Sequence, residues 1–342
     1  MTFTEPPREP PAMVSILIVT YHSATTIKDC LLSLQEQTFT DFEVIVVDNN
    51  STDNTKKMID SVNKGLSYPI ATFYLTENLG FAGGNQYAFE RAHGNLIALL
   101  NPDTVAERNW LGEISEAMIS RVEVGICASQ LVARDTGLID AAGDGYSTSL
   151  KGIKQGEGRP RGEFNKHRYI FGACAGASLY RRAMLEEIGF FDKDFFLIHE
   201  DTDLNMRAQL MGWKAFYVPT AVVYHRVGSS IGVMSDIAVY YALRNTELVR
   251  IKNIPAALLL RYSLLLLVFA FLEFFYFALL HRKISLYAKA KMAALRMVPE
   301  TLKKRTSIQK SKKTTNRHLV TMLTPVFDRQ IITTKVRKLF LR

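Results

Sequence analysis

Three carboxylates fall within four residues at the start of a helical pattern, in the run HEDTDLNMR. They are Glu200, Asp201 and Asp203. Like charges this close raise the pKa of at least one carboxyl group, which suits a general base working near neutral pH. Acids in a first turn also stabilise a helix through its dipole, and this accounts for one or two of them. The run, which includes His199, therefore indicates a site for proton abstraction.

Two further acidic residues follow apolar runs of the strand type. Asp48 ends FEVIVVD, where a carboxylate can accept hydrogen bonds from a nucleotide base or a ribose hydroxyl. Asp103 in LLNPDT is placed to bind a divalent cation, because a hard ion that bridges a nucleotide diphosphate needs one or two carboxylates besides the ligand's own oxygens. Each is also explained as a turn residue or a helix cap, equally well in the case of Asp48.

A glycine-rich turn and a histidine add to these acids. In ENLGFAGGNQ, Gly80, Gly83 and Gly84 let the backbone approach a phosphate or a sugar where a helix begins, although the spacing is not that of a dinucleotide-binding turn. His225, in YHRVGSS, offers an imidazole that can complete a metal shell. A single histidine after a strand is more often structural.

Alternating strand and helix patterns position these groups. Apolar runs predict buried strands at 14–20, 42–47, 70–75, 95–100 and 213–218, and apolar spacing predicts helices at 24–37 and 81–93 and from Arg182 onward. This order predicts an α/β fold with a doubly wound, mostly parallel sheet flanked by helices. Ligands bind at the carboxyl ends of the strands in such sheets, where the polar residues lie. The glycine-rich stretch 134–168 is predicted to be a mobile loop near the site.

Composition changes sharply towards the C-terminus. The nineteen residues Tyr262–Leu280 contain one charge, Glu273. Within the apolar stretch 256–280, this length just suffices to cross a bilayer, but a central glutamate opposes insertion, and a buried core helix has the same composition. From His281 to Arg342, 17 Lys and Arg face two acids, whereas residues 1–280 carry a net charge of −6. Apolar and basic segments in series favour an anionic membrane surface.

The remaining composition excludes several classes of protein. The 342 residues are 48% hydrophobic and 22% charged, which indicates about two globular domains rather than a disordered chain. Three scattered cysteines, Cys30, Cys127 and Cys174, predict neither a zinc ribbon nor a disulfide framework and fit a reducing compartment. Residues 1–13 are predicted to be a flexible N-terminus without a signal peptide.

Taken together, the region from Val14 to Ser230 resembles the family-2 inverting glycosyltransferases of the GT-A fold, in particular their rhamnosyltransferase-like bacterial branch. The motifs VSILIVTYHS, VVDNNSTD, ENLGFAGGNQ, LNPDT, HEDTD and YHRVGSS occur in the family's order. The resemblance implies a catalytic domain at 14–240 and a helical membrane-associating region at 241–342.

The same resemblance implies roles for individual residues. Asp201 would be the base, with Glu200 its rival, and a Mg²⁺ or Mn²⁺ ion would be held by Asp103 and His225. Asn101 stands at the first position of the family's DXD motif and leaves one carboxylate fewer. The residues implied in nucleotide-sugar binding are Thr20, Tyr21, Asp48, Asn78, Gly83, Asn85 and Asn101.

The implied reaction is a single in-line displacement that inverts the anomeric carbon, in cell-surface polysaccharide synthesis. The expected donor is dTDP-L-rhamnose, and the expected acceptor is a polyprenyl-diphosphate-linked saccharide at the cytoplasmic face of the cell membrane. The enzyme would be peripheral or anchored by a single segment. A nucleotidyltransferase is the first alternative, although VTYHSATT offers no basic phosphate-binding loop.

The second alternative is an inactive GT-A-like protein whose basic tail binds a membrane or a nucleic acid. Only Phe327 and Phe340 are aromatic after Tyr287, so the tail lacks the stacking side chains of a single-strand binder. No nucleic-acid partner is therefore expected.

Overall fold

The structure, a computed structural model, describes residues 13–227, 232 and 234–328. Apart from Met13, the predicted flexible N-terminus lies outside the described residues. So does the part of the basic tail that follows Asp328.

Strands in the described part of the chain form a ten-stranded and a three-stranded sheet. Their bounds are β1 Val14–Thr20, β2 Phe42–Asp48, β3 Ile70–Tyr74, β4 Leu96–Leu100, β5 Thr104–Ala106, β6 Val124–Ala133, β7 Ile139–Ala141, β8 Asp144–Ser147, β9 Gly152–Lys154, β10 Arg168–Ile170, β11 Ala177–Arg181, β12 Lys214–His225 and β13 Leu323–Thr324. The large sheet has the order β10-β12-β6-β11-β4-β1-β2-β3, with β5 on β12 and β7 on β6. Strands β4, β1, β2 and β3 are parallel, as are β6 and β12, whereas β11 runs antiparallel between β4 and β6.

Helices cover both faces of the large sheet. Their bounds are α1 Ile27–Gln35, α2 Thr55–Asn63, α3 Gly80–Phe89, α4 Trp110–Ile119, α5 Arg182–Ile188, α6 Glu200–Met211, α7 Asp236–Asn253, α8 Ala256–Arg261, α9 Ser263–Phe274, α10 Ile284–Arg296, α11 Val298–Ser311 and α12 Asn316–Met322. A π-helical turn, Phe275–Leu280, continues α9, and short 3₁₀ turns lie at Arg161–Phe164 and Lys193–Phe195.

Burial on both faces explains why the central strands are continuously apolar. In β1, Ile16 and Ile18 pack with α1, α2 and α4, whereas Leu17 and Val19 pack with α3, α5 and α6. A strand covered on both sides needs apolar residues at every position, which is the pattern that the sequence shows. The predicted α/β fold, with its large and mostly parallel sheet between helices, is confirmed.

The glycine-rich stretch 134–168 differs from its prediction. It contains β7, β8 and β9 rather than one open loop, and β7 pairs with β6 in the large sheet. Gly143 has a φ of +83°, and a Cβ there would lie 2.5 Å from the Ile170 side chain. The glycines therefore permit close packing of short strands, a use that composition does not distinguish from a flexible loop.

The described part of the C-terminal region is mostly helical and shares a core with residues that precede it. The predicted boundary at residue 240 falls within α7. Leu248 of α7 and Leu319 of α12 pack in one cluster with Phe195 and Met206. Within the described residues, one helical segment, Ser263–Leu280, is long and apolar enough to cross a membrane, with a mean hydropathy of 2.4.

Candidate active site

Asp48 lies at the carboxyl end of β2, directly beside the end of β1. The parallel register pairs it with Thr20, whose hydroxyl donates a hydrogen bond of 2.9 Å to Oδ1 of the carboxylate. Ser51 donates from its hydroxyl and its backbone N–H, at 2.6 and 3.1 Å. These donors fix the orientation of a buried carboxylate at the edge where nucleotides bind in such sheets.

Tyr21 follows β1 and is 45% exposed. Its ring stacks on that of His22, with centroids 4.1 Å apart. His22 in turn contacts the Thr52 hydroxyl at 3.0 Å. An exposed aromatic pair beside Asp48 is suited to contact with the planar base of a nucleotide.

The glycine-rich turn at the start of α3 packs closely against β1 and against the loop before α6. Asn78 accepts a hydrogen bond of 2.8 Å from the N–H of Gly80, which has a φ of +72°. A Cβ on Gly80 would lie 2.4 Å from the Phe196 carbonyl oxygen, and one on Gly84 would lie 2.7 Å from Val19. Glycine is therefore required here for close backbone contact.

Two other residues predicted in this turn are engaged within α3. Asn85 is buried and donates a hydrogen bond of 2.9 Å to the Phe81 carbonyl. Among the described residues, a Cβ on Gly83 would meet the side chain of Leu79 alone, one turn earlier. Their part in donor binding remains a prediction.

Asp103 and His225 meet at the opposite side of the β4 terminus. Asp103 is buried in the loop after β4, and His225 is the last residue of β12. Nε2 of His225 lies 3.4 Å from Oδ1 of Asp103. Asn101 begins this turn: its carbonyl accepts hydrogen bonds from the N–H and the hydroxyl of Thr104 at 3.2 and 2.6 Å.

A third carboxylate, Asp140 of β7, completes this cluster. It contacts Nδ1 of His225 at 2.9 Å and accepts a hydrogen bond of 2.9 Å from Lys154. Burial opposes a charge on His225, but the hydrogen bonds with Asp103 and Asp140 outweigh burial and raise the pKa of the imidazole to about 9. The same neighbours, His225 and Lys154, hold the pKa of Asp140 below its ordinary value despite burial.

This cluster fits a divalent cation that is also bound by a diphosphate. Asp103 offers a carboxylate oxygen 3.4 Å from Nε2 of His225, and Asp140 contacts the other imidazole nitrogen, as carboxylates beside metal-bound histidines commonly do. A cation bound here would displace the proton that the raised pKa leaves on His225. No group of three or more His, Cys, Asp or Glu side chains in the described ranges is arranged to hold a metal alone. A Mg²⁺-type ion that takes its other ligands from phosphates and water does not need one.

At the start of α6, the pKa values of Glu200 and Asp201 are raised, whereas that of Asp203 is lowered. Burial raises the pKa of Asp201, although N–H groups of Ala175 and Thr202 donate to its carboxylate at 3.3 and 2.6 Å. Burial, followed by the charge of Asp201, raises the pKa of Glu200 well above its ordinary value, and Glu200 Oε2 has no hydrogen-bond partner among the described residues. Both are suited to hold or accept a proton near neutral pH.

Asp203 is instead a structural carboxylate. It is fully buried and binds Arg207 at 2.9 Å, Lys252 at 2.9 Å and the Asn253 amide at 2.8 Å. Although burial opposes its charge, Lys252 and Arg207 lower the pKa of Asp203. It therefore joins α6 to α7 and holds no exchangeable proton at neutral pH.

The loop before α6 is held in a strained conformation by α7. Phe196, Ile198 and His199 all have positive φ values, of 61°, 68° and 72°. Nδ2 of the buried Asn245 lies 2.9 Å from the carbonyl oxygens of Phe195 and Leu197 and 2.6 Å from that of Ile198. Such backbone conformations persist only when their surroundings fix them. This loop delivers Glu200 and Asp201 to the site.

Sequence reasoning missed the residues that β7 to β9 contribute. They are Asp140, Lys154 and Asp144, whose pKa is raised well above its ordinary value by burial and by the charge of Asp201. The missed signal was IDAAGDGY, in which Asp140 lies within β7 and Asp144 begins β8.

Residues 15–189 match the family described as "Glycosyl transferase family 2", and this chain belongs to that family. Among named relatives, it is 32% identical over 109 residues to "Putative teichuronic acid biosynthesis glycosyltransferase TuaG" of Bacillus subtilis, covering 32% of this chain and 43% of the relative. It is 21% identical over 220 residues to "Poly-beta-1,6-N-acetyl-D-glucosamine synthase" of Staphylococcus epidermidis, covering 64% and 51%. The chain thus spans less than two thirds of the length of either relative.

A solved structure shares the fold. The mannosyltransferase PcManGT from Pyrobaculum calidifontis, in complex with GDP-Man and Mn²⁺, aligns with a TM-score of 0.55 and 17% identity, over 91% of this chain and 79% of the other. This likeness confirms the expected GT-A-type fold.

Proposed function

We propose that this protein is an inverting glycosyltransferase that transfers a sugar from a nucleotide-sugar donor to a lipid-linked saccharide in cell-surface polysaccharide synthesis. The observation that carries the proposal is the half-buried Asp201 carboxylate with its raised pKa, in a family-2 domain in which Asp48 and Asp103 lie at strand ends. The names of the two relatives, in teichuronic acid and poly-N-acetylglucosamine synthesis, support the cell-surface process.

In this reaction Asp201 accepts the proton of the acceptor hydroxyl as its oxygen attacks the anomeric carbon. Burial makes Asp201 a stronger base than an exposed aspartate, and the amide donors from Ala175 and Thr202 fix its orientation. Glu200 is the rival base, because it shares the raised pKa and its Oε2 is buried without a hydrogen-bond partner among the described residues.

The donor would lie across the strand ends, with the base and ribose against Thr20, Tyr21 and Asp48. Asn78, Gly83, Asn85 and Asn101 are proposed to complete this pocket. Asp103 and His225 would hold Mg²⁺ or Mn²⁺, which stabilises the negative charge that develops on the leaving diphosphate. Asp140 keeps the His225 imidazole aligned for this role.

The donor is proposed to be dTDP-L-rhamnose, on the resemblance of ENLGFAGGNQ and its neighbouring motifs to the rhamnosyltransferase-like branch. The acceptor is proposed to be a polyprenyl-diphosphate-linked saccharide, because the apolar segment Ser263–Leu280 would hold the enzyme where such a lipid is confined. The proposed location is the cytoplasmic face of the cell membrane, with the enzyme peripheral or anchored by a single segment.

The test is nucleoside-diphosphate release from a panel of nucleotide sugars, with Mg²⁺, Mn²⁺ or EDTA and with lipid-linked acceptors. Metal-dependent release from dTDP-L-rhamnose is expected. Asp201→Asn should lower the transfer rate by about 10²- to 10⁴-fold while calorimetry finds donor affinity retained. Retained turnover in this variant would transfer the role of base to Glu200, and folded protein that binds no nucleotide sugar would remove the proposal.

A further inference from the structure

An exposed apolar stripe runs along α8, α9 and the π-helical turn. Its members recur every three or four residues and are 50% to 78% exposed: Leu260, Leu264, Leu267, Phe271, Phe275 and Leu279. On α10, Ile284, Met292 and Leu295 are exposed as well, by 55%, 50% and 63%. A contiguous apolar surface of this kind marks a contact with a partner or a membrane.

The opposite face of α9 is tied to the protein by charge. Glu273 is only 10% exposed and pairs with Lys151 at 3.2 Å and with Lys291 at 2.7 Å. Lys291 also binds Glu247 of α7 at 2.7 Å. If the segment Ser263–Leu280 crossed a bilayer, Glu273 near its middle would have to leave these partners and enter the hydrocarbon core. The ion pairs therefore favour a helix that lies along the protein.

The basic residues around the stripe favour an anionic membrane as its partner over a second copy of the chain. Between Ala256 and Pro299 the chain has six Lys or Arg, and Glu273 is its only acid. Arg261, Arg282, Lys289 and Arg296 are exposed beside the apolar residues. Pairing with a second copy would bring these like charges together, whereas the headgroups of anionic lipids neutralise them.

The ion pair between Glu273 and Lys151 also lies close in the structure to the segment that carries the candidate base, Asp201. Lys151 precedes Gly152, and a Cβ on Gly152 would lie 3.0 Å from the hydroxyl of Thr202. Thr202 donates its N–H to Asp201. The surface that contacts Glu273 thus adjoins the segment that orients the Asp201 carboxylate.

We propose that α8 to α10 form an in-plane membrane anchor, in which α9 lies flat on an anionic bilayer and the Glu273 ion pairs hold that bilayer beside Asp201. The location at a membrane rests on the proposed function. The flat orientation and its cause go beyond it. A saccharide whose lipid stays in this bilayer would reach the base without leaving the surface.

Binding is tested with the purified full chain and sedimented vesicles of phosphatidylcholine, with or without phosphatidylglycerol. Binding to the anionic vesicles is expected, and Leu267→Glu combined with Phe271→Glu should weaken it by about tenfold or more. The matched control is Ile119→Glu with Val122→Glu, since these side chains are 51% and 80% exposed on the catalytic domain. This control should bind as the wild type does. Equal loss in both variants, or dimerisation through the stripe without vesicle binding, would overturn the proposal.

Orientation is tested by bimane labels on single cysteines at Leu264, Phe271 and Leu279, in a chain with Cys174 replaced by alanine, since Cys30 and Cys127 are buried. Lipids brominated at shallow or deep acyl positions quench the labels according to depth. A flat helix gives all three labels the same shallow depth, whereas a spanning helix gives Phe271 the deepest position. A depth profile of the spanning kind would refute the in-plane anchor.

Glu273→Leu tests the cause of the orientation. Without the pairs to Lys151 and Lys291, the label at Phe271 should move deeper. An unchanged depth would show that the ion pairs do not set the orientation. None of these measurements uses sugar transfer, so an inactive enzyme that still binds flat would contradict only the proposed function.

Discussion

Replacing Asn245 by alanine should loosen the loop that carries the candidate base. Asn245 is fully buried in α7, and its amide nitrogen lies within hydrogen-bond distance of the carbonyl oxygens of Phe195, Leu197 and Ile198. Its Oδ1 accepts a hydrogen bond of 2.8 Å from Arg244. The substitution removes all of these contacts and leaves the carbonyl oxygens without this donor.

The magnitude follows from the number of bonds lost. An amide nitrogen has two hydrogens, so one of them is shared between two of the three carbonyls. The Phe195 carbonyl keeps hydrogen bonds from Arg244 and from the Leu197 N–H. At about 1 kcal/mol for each hydrogen bond lost, with a further cost for the Leu197 and Ile198 carbonyls, the loss is about 3 kcal/mol. Since about 1.4 kcal/mol corresponds to a factor of ten, local opening of the loop should become about 100-fold more frequent.

Native-state hydrogen exchange of the amides of residues 195–203 measures this opening directly. Leu34→Ala is the matched control, because Leu34 is 1% exposed in the core under α1 and its truncation costs about 2–5 kcal/mol without touching the loop. Exchange at 195–203 should accelerate in Asn245→Ala beyond its acceleration in Leu34→Ala. Equal protection of these amides in the two variants would refute the reasoning that Asn245 holds the loop.

Three further perturbations have expected outcomes. Asp103→Ala should weaken donor binding in the presence of Mn²⁺ and leave binding in EDTA unchanged, and equal calorimetric titrations would remove Asp103 from the metal site. Burial, followed by the charges of Lys151 and Arg250, lowers the pKa of His199 to about 3. In the unfolded chain this histidine is protonated below about pH 6.5, whereas in the native state it stays neutral, so the free energy of unfolding falls as the pH drops below that value. Asparagine tolerates the left-handed backbone at this position, so His199→Asn should make the free energy of unfolding in urea depend less on pH between pH 7 and about 5. A pH dependence equal to that of the wild type would contradict this expectation. Gly80→Ala should lower stability by about 1–3 kcal/mol, because its Cβ would clash with the Phe196 carbonyl. Gly162→Ala should be neutral, because a Cβ there meets no atom of the described residues within 4 Å.

The sequence was most informative about elements buried on both faces. The runs at 14–20 and 42–47 coincide with β1 and with β2 up to its last residue, because a parallel strand between two helical layers needs apolar residues throughout. Because β1 and β2 are parallel and in register, Thr20 and Asp48 lie side by side at their carboxyl ends. Local pattern sufficed here because the environment of each strand is uniform along its length.

The part of the site that comes from 134–168 was not predictable in this way. Strands β7 and β9 are three residues each, too short for a periodicity to appear, and their glycines resemble those of a loop. Asp140 reaches His225 only because β7 pairs with β6, which in turn pairs with β12. That contact joins residues far apart in the chain, so no local pattern encodes it.

The acidic run shows where spacing stops being informative. Three acids in one turn read as a single cluster, yet Asp203 binds Arg207 one turn later and Lys252 from α7, which lowers its pKa. Of these partners, the sequence offers Arg207, at the helical spacing of four, but not Lys252. Among the described residues, no cation lies within hydrogen-bond distance of Asp201, on another side of the same turn, and its pKa stays raised. Because helix geometry points adjacent acids in different directions, the neighbouring elements decide which carboxylate is structural and which can act as a base.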